Sequence, residues 1–381
     1  MARCLYQILM AVVVLVSPSR ANGIDWQPLD VIGVAGPKAP VQLPDGAILS
    51  VRHAHLDGQT KLILARSDDG SVWGDVAVIT SDGAGTDLGD CHLLRLRDGR
   101  LWCSYRRNRY RGAAAAAPSY AIEIAESRDD GRTWRKHSIV AEARHAAQPE
   151  HSRGLWSSFV LERRDGALQC YFDDEDTPAR DGFPSHQWLV MKTWEAAAGQ
   201  WSGPVVVSRA HDPAHLSRDG MPSIVELDNG QLFVVFESVQ VSRPHANLIR
   251  CVTSDDGGKT WSWQQRERGV VYATPKPDHL ALAPWMIRRR DGSLLVVFCT
   301  DEDRDAPGVS GTPPPGLRMD IKTVQSRDGG ATWSASQLNY AGRHRNYLPG
   351  VAELADRSLQ VHFVDYEAGG VRIVRGGAEQ P

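Results

Sequence analysis

Glu237 stands alone at the end of the apolar run Leu232-Phe233-Val234-Val235-Phe236. A carboxyl group approached only through hydrocarbon is biased towards its protonated form. Other apolar runs also stop at ionisable groups: Arg52-His53, Arg106-Arg107-Asn108, Asp173-Asp174-Glu175, Asp301-Glu302-Asp303 and Asp365-Tyr366-Glu367. A second set stands at the starts of the preceding runs: Asp90-Cys91-His92, Trp156-Ser157-Ser158, Arg218 to Pro222, Pro284-Trp285 and Arg345-Asn346-Tyr347. If a fold gathers these ends, it builds a polar pocket with carboxyl groups on more than one side. Glycosidic bond cleavage needs that arrangement. One protonated acid donates to the leaving oxygen, while an ionised partner attacks the anomeric carbon or activates water. Glu237 is the candidate acid, with Glu175, Asp174, Asp219 and Asp301 as candidate partners. Trp156 and Trp285 are candidates for stacking on a sugar face. Arg52, His92, Arg106, Arg345 and Tyr366 are the other candidate substrate contacts. A uronic-acid lyase would instead take its base from Tyr366, Tyr347, His53 or His92.

The elements that would gather these residues are written as repeats. Ser127–Trp134 (SRDDGRTW), Ser254–Trp261 (SDDGGKTW) and Ser326–Trp333 (SRDGGATW) share one pattern, and Ser67–Trp73 (SDDGSVW) is a copy one residue shorter. The chemistry is that of a tight turn: Ser and Asp bond the turn backbone, Gly supplies a positive φ, and Trp anchors the turn to a neighbouring sheet. Interleaved with it is a strand–turn–strand unit at Val41–Val51, His92–Tyr105, Phe159–Phe172, Ser223–Phe236 and Met286–Phe298. Its turns are Asp45-Gly46, Asp98-Gly99, Asp165-Gly166, Asn229-Gly230 and Asp291-Gly292, the strongest short-range hairpin signal. A sixth, degenerate copy, Val351–Phe363, turns at Arg357-Ser358. The turns recur about every 62 residues, a period typical of repeat architectures. The third unit keeps only Trp201 of the turn motif, in Lys192–Trp201. Six such units predict an all-β, six-bladed β-propeller with four-stranded blades, in which radial closure avoids free sheet edges. The last unit offers only three strands, so Trp26–Ile32 is predicted to supply its fourth. One propeller domain is expected over 24–377, with Asp174–His186 and Asp303–Gly316 as long rim loops.

The 381 residues, 42% hydrophobic, suffice for such a core, and a net charge of −3 gives no reason to expect nucleic acid as a partner. Arg3, the apolar Leu5–Val16 and Ser19-Arg20-Ala21 have the pattern of a secretory signal peptide over 1–21, too short for a membrane span. A secreted or periplasmic monomer acting on carbohydrate is expected. Cys91, Cys103, Cys170, Cys251 and Cys299 remain after Cys4 leaves, mostly inside apolar strand patterns and without metal-ligand spacing. No metal or cofactor is demanded, although the acidic clusters at 173–176 and 301–303 have the oxygen chemistry of calcium ligands.

The repeated turn resembles the Asp box of the sialidase superfamily, where it ties the third and fourth strands of a propeller blade. Arg218-Asp219-Gly220-Met221-Pro222 with Glu237, Gln187–Thr193 (QWLVMKT) and Leu168–Glu175 (LQCYFDDE) resemble the exo-α-L-1,5-arabinanases of glycoside hydrolase family ninety-three. The likeness spans roughly residues 40 to 365. It implies a six-bladed propeller with two catalytic glutamates, one matching Glu237. The other belongs to a Trp-Glu-Pro-Phe stretch, and here Trp156-Ser157-Ser158-Phe159 puts serine in its place. Either another acid compensates, the substrate differs, or the chain does not cleave by that mechanism, as in a carbohydrate-binding propeller without turnover. A likeness to true sialidases places Tyr347 near their nucleophile. However, it puts Glu237 where those enzymes carry one of three arginines that clamp the sialate carboxylate.

Overall fold

The computed structural model describes residues 24–109, 119–144, 154–240, 247–305 and 317–377. The expected signal segment, the alanine run at 113–117 and most of the 303–316 insertion lie outside these residues.

The strands form six antiparallel sheets arranged as blades around one axis. The first blade comprises 41–42, 48–56, 59–67 and 74–83, and the second 86–95, 101–109, 119–127 and 135–144. The third is built from 155–162, 168–174, 188–195 and the short pieces 200–201 and 205–208. The fourth comprises 217–226, 232–240, 247–254 and 269–272, and the fifth 281–288, 294–300, 320–326 and 337–340. The sixth takes 346–353, 359–365 and 370–376 from the end of the chain and Trp26–Leu29 from its start, with Trp26 opposite Gly376 and Leu29 opposite Ile373. The fold is the predicted six-bladed β-propeller, and the N-terminal strand closes it. A short helix, Asp176–Arg180, interrupts the first rim loop, and among the described residues no helix is long and apolar enough to cross a membrane.

Each hairpin between first and second strands closes on the expected turn. The five Asp/Asn-Gly copies put glycine at positive φ, and Arg357 takes the same conformation (φ 66°) in the sixth. The repeated Ser–Trp turns join third and fourth strands and are knitted as their residue types require. In Ser254–Trp261, Ser254 Oγ donates to Asp256 (2.8 Å), Gly258 N–H donates to Ser254 Oγ (2.8 Å), and Trp261 Nε1 donates to the Gly258 carbonyl (3.1 Å). The turn glycine is also a contact between blades: a Cβ on Gly330, at φ 93°, would lie 2.3 Å from the Phe233 ring of the preceding blade. Glycine is required there by both conformation and space.

Blades are also clasped near the first hairpins. The backbone N–H of Arg97 donates to Glu162 of the next blade (2.8 Å), Arg164 to Glu226 (2.7 Å), Arg290 to Glu353 (2.7 Å) and Ala355 to Gln42 (2.7 Å). These ties and the buried aliphatic layers between sheets hold the opposite face, where the candidate residues lie, in fixed register.

Candidate active site

The innermost strands reach the axis through a repeated irregularity. In blades two to six, the register between first and second strands slips by one residue, between Gly89 and His92, Leu155 and Ser158, Gly220 and Ser223, Leu282 and Trp285, and Tyr347 and Gly350. Such bulges re-aim side chains and raise local twist. Asp90, Met221, Ala283 and Leu348 sit at positive φ in these bulges, and Lys38, ahead of the first blade, does the same at φ 65°. Sequence alternation cannot reveal a one-residue slip.

Around this ring stand two carboxyl groups on adjacent blades. Asp173 is 2% exposed, and burial, reinforced by the charge of Glu237, raises its pKa to about 8. Its Oδ2 accepts the Met221 N–H at 3.3 Å. Its Oδ1 is buried with no hydrogen-bond partner among the described residues. Glu237, half-buried, accepts the Ala283 N–H at 2.8 Å, and its pKa is also raised by burial, against the pull of that N–H and of Arg218 and Lys38. Asp173 was visible in sequence only as one of a run of acids. Its signal was the residue offset from the hairpin glycine, which matches that of Glu237.

The other candidate partners are committed elsewhere. Asp219 is fully buried, and its two oxygens receive Arg268 Nη1 at 2.7 Å each, with Ser208 Oγ at 2.6 Å and Ser217 Oγ at 2.7 Å. Glu175 accepts the Gly154 N–H (2.8 Å) and pairs with Arg218. Asp174 bonds the start of the short helix, accepting the N–H groups of Asp176 (2.7 Å) and Thr177 (3.1 Å). Asp301, fully buried, accepts the Leu280 N–H at 2.7 Å.

The expected substrate contacts divide in two. His92 is buried between blades, stacked 4.0 Å from the Phe159 ring centroid and accepting the Val160 N–H; burial lowers its pKa to about 3. Trp285, 5% exposed, packs 5.2 Å from the same phenylalanine. Both belong to the floor beneath the ring. Tyr347 is 7% exposed, and burial, with Glu237 next in effect, pushes its hydroxyl well above its usual range. Arg106, Arg52 and Tyr366 line a cavity of about 420 Å³ between the first, second and sixth blades, together with His53, Asp87 and Asp90. Burial, reinforced by the charge of His55, lowers the His53 pKa. Arg106 is paired with Asp87 (3.0 Å) and Asp90 and lies 5.5 Å from the Trp156 ring, whereas Arg52 is paired with Asp75. The guanidinium of Arg345 covers the Tyr366 ring at 4.0 Å, making a flat platform. Lys38 and Leu348 line both this cavity and the narrow axial crevice containing Ser157, Met221, Ala283 and Trp285.

No family model and no curated protein sequence matches the chain. Solved structures do match over nearly its whole length. An α-L-arabinanase of Penicillium chrysogenum complexed with arabinobiose superposes with a TM-score of 0.61 at 18% identity, covering 92% of this chain and 98% of that one. The fold is sialidase-like. The GH93 α-L-arabinofuranosidase of Fusarium graminearum, with arabinobiose, gives 0.62 at 17% identity over 91% and 97%. The Hadza microbial sialidase Hz136 gives 0.61 at 17% over 89% of this chain and 65% of that one. At such identities the likeness of this sialidase-like propeller to each is one of fold.

Proposed function

We propose that the protein is an exported, exo-acting glycoside hydrolase in which Asp173 and Glu237 are the catalytic carboxyl groups, with arabinan-type oligosaccharides the first substrate class to test. The observation that carries this reading is the buried, unpartnered Oδ1 of Asp173 beside the half-buried Glu237. A carboxyl with pKa about 8 holds its proton at neutral pH and can hand it to the leaving glycosidic oxygen. Glu237 then attacks the anomeric carbon, or takes a proton from the water that does. Asp173 thereby supplies the acid that Ser157 lacks, on the neighbouring strand of the same blade. The 420 Å³ cavity, lined by Arg106 and Tyr366 among others, is suited to the non-reacting part of the substrate. The structural neighbours crystallised with arabinobiose favour furanosides of arabinose as the sugar.

The test is a glycan panel assayed by the mass of released products, beside Asp173→Asn and Glu237→Gln. Each variant should lose about two to four orders of magnitude in kcat. Full activity in either one removes that residue from the mechanism. A second reading, sialidase chemistry with Tyr347 as nucleophile, draws on the upward push that burial and then the Glu237 charge give the Tyr347 hydroxyl. It predicts release of sialic acid by the wild type and its loss in Tyr347→Phe. Against it, Arg106 and Arg218 each already hold a carboxylate of the protein.

A further inference from the structure

Sequence patterning passes over Lys38, because it precedes the first blade, in the segment Gly36-Pro37-Lys38-Ala39-Pro40. The fold brings it to the axis. Its N–H donates to the Leu348 carbonyl of the sixth blade (3.3 Å), and the segment lies so close to that blade that a Cβ on Gly350 would stand 2.1 Å from the Ala39 nitrogen. The side chain is 7% exposed and lines both the axial crevice and the 420 Å³ cavity. Buried lysines are rare unless paired. Its partner, Asp90 at 3.4 Å, is shared with Arg106, which also pairs with Asp87, and the crevice that Lys38 lines is shared with Met221 and Ala283, whose N–H groups bond Asp173 and Glu237.

We propose that Lys38 is a positioning residue of this centre, its ammonium being a fixed positive charge that, with Arg218, holds Glu237 in the ionised form. The inference rests on the functional reading above. The titratable and charged groups around the ammonium include Asp90, Cys91, His92 and Arg106 of the second blade, Asp173 of the third and Glu237 of the fourth, with Arg52 and His53 of the first and Asp365 and Tyr366 at the sixth lining the same cavity. Burial lowers the Lys38 pKa to about 8, so the ammonium is retained at neutral pH. It favours the ionised form of both carboxyl groups. Glu237 is the more exposed of the two and is the one held ready to act as base or nucleophile, while the deeper Asp173, with a pKa of about 8, keeps its proton at neutral pH.

The experiment compares wild type, Lys38→Met and Lys38→Arg. Carboxyl-carbon NMR titrations of Asp173 and Glu237 are run beside the pH profile of kcat, and Lys38→Gln is the alternative neutral variant if Met does not fold. Removing a neighbouring positive charge raises carboxyl pKa values, so the Glu237 titration and the acid limb of kcat should both move up by about one pH unit in the neutral variant. Arginine should leave both in place. A Glu237 titration that is unmoved in the neutral variants overturns the proposal. If no glycan is hydrolysed but the titration moves as stated, the hydrolase reading fails and the electrostatic role of Lys38 stands.

Discussion

Replacing Asp173 with asparagine should make the protein more stable as well as inactive. The side chain is 2% exposed, and burial with the neighbouring Glu237 charge moves its pKa from 3.8 to about 8. This direction is the reverse of the usual ion-paired carboxylate. Below about pH 4 the group is protonated in both folded and unfolded chains and contributes no pH-dependent cost. As pH rises, the unfolded chain ionises while the folded one does not, and stability falls by about 1.4 kcal/mol per pH unit. The loss reaches about 4 kcal/mol near pH 7 and levels off once the folded pKa is passed. Asparagine has no proton to lose, and its oxygen can still accept the Met221 N–H. Urea unfolding of wild type and Asp173→Asn at intervals between about pH 5 and pH 8.5 should therefore show a gap that widens with pH in favour of the variant. A constant gap, or a variant less stable at the alkaline end, refutes the assigned environment of Asp173. With it falls the claim that this group is a proton donor at neutral pH.

Asp219→Asn should destabilise the protein by about 3–5 kcal/mol, since it leaves Arg268 buried opposite an uncharged side chain; chemical denaturation measures this. Trp261→Ala removes a side chain that is 1% exposed and a hydrogen bond to Gly258, and should cost about 3–5 kcal/mol, read as a lowered urea midpoint. Gly330→Ala forces both a positive φ and a clash with Phe233, and should lower the Tm; an unchanged Tm would mean that the turn does not seat against the fourth blade as described.

The propeller was legible because its local signals repeat. Asp-Gly hairpins and Ser–Trp turns fix strand order, and a final unit of three strands could be completed only from the other end of the chain. Even Arg357 follows the pattern, taking the positive φ that glycine has in the other five turns. The site was legible less evenly. Glu237 lies in the ring, as the apolar run before it implied. Asp219, two residues before the fourth-blade bulge, is directed instead into an ion pair with Arg268, which arrives from 49 residues further along the chain. His92 and Trp285 have chemistry suited to sugar but are buried, packed against one another and against Phe159. Asp173 and Lys38 were obscured for different reasons. One sits in a run of four acidic residues, and the other lies outside any repeat.

The sixth sheet joins residues 26–29 to residues 370–376. During synthesis the opening strand must therefore wait, unpaired, until almost the entire chain has emerged, and the ring has no closed form before then. The first five sheets can assemble as an open arc, with Lys38 still lacking the Leu348 carbonyl that holds it in place. The contact that seats Lys38 at the axis thus depends on the sixth sheet, and losing the pairing of residues 26–29 with 370–376 would loosen the axial residues without altering any of them.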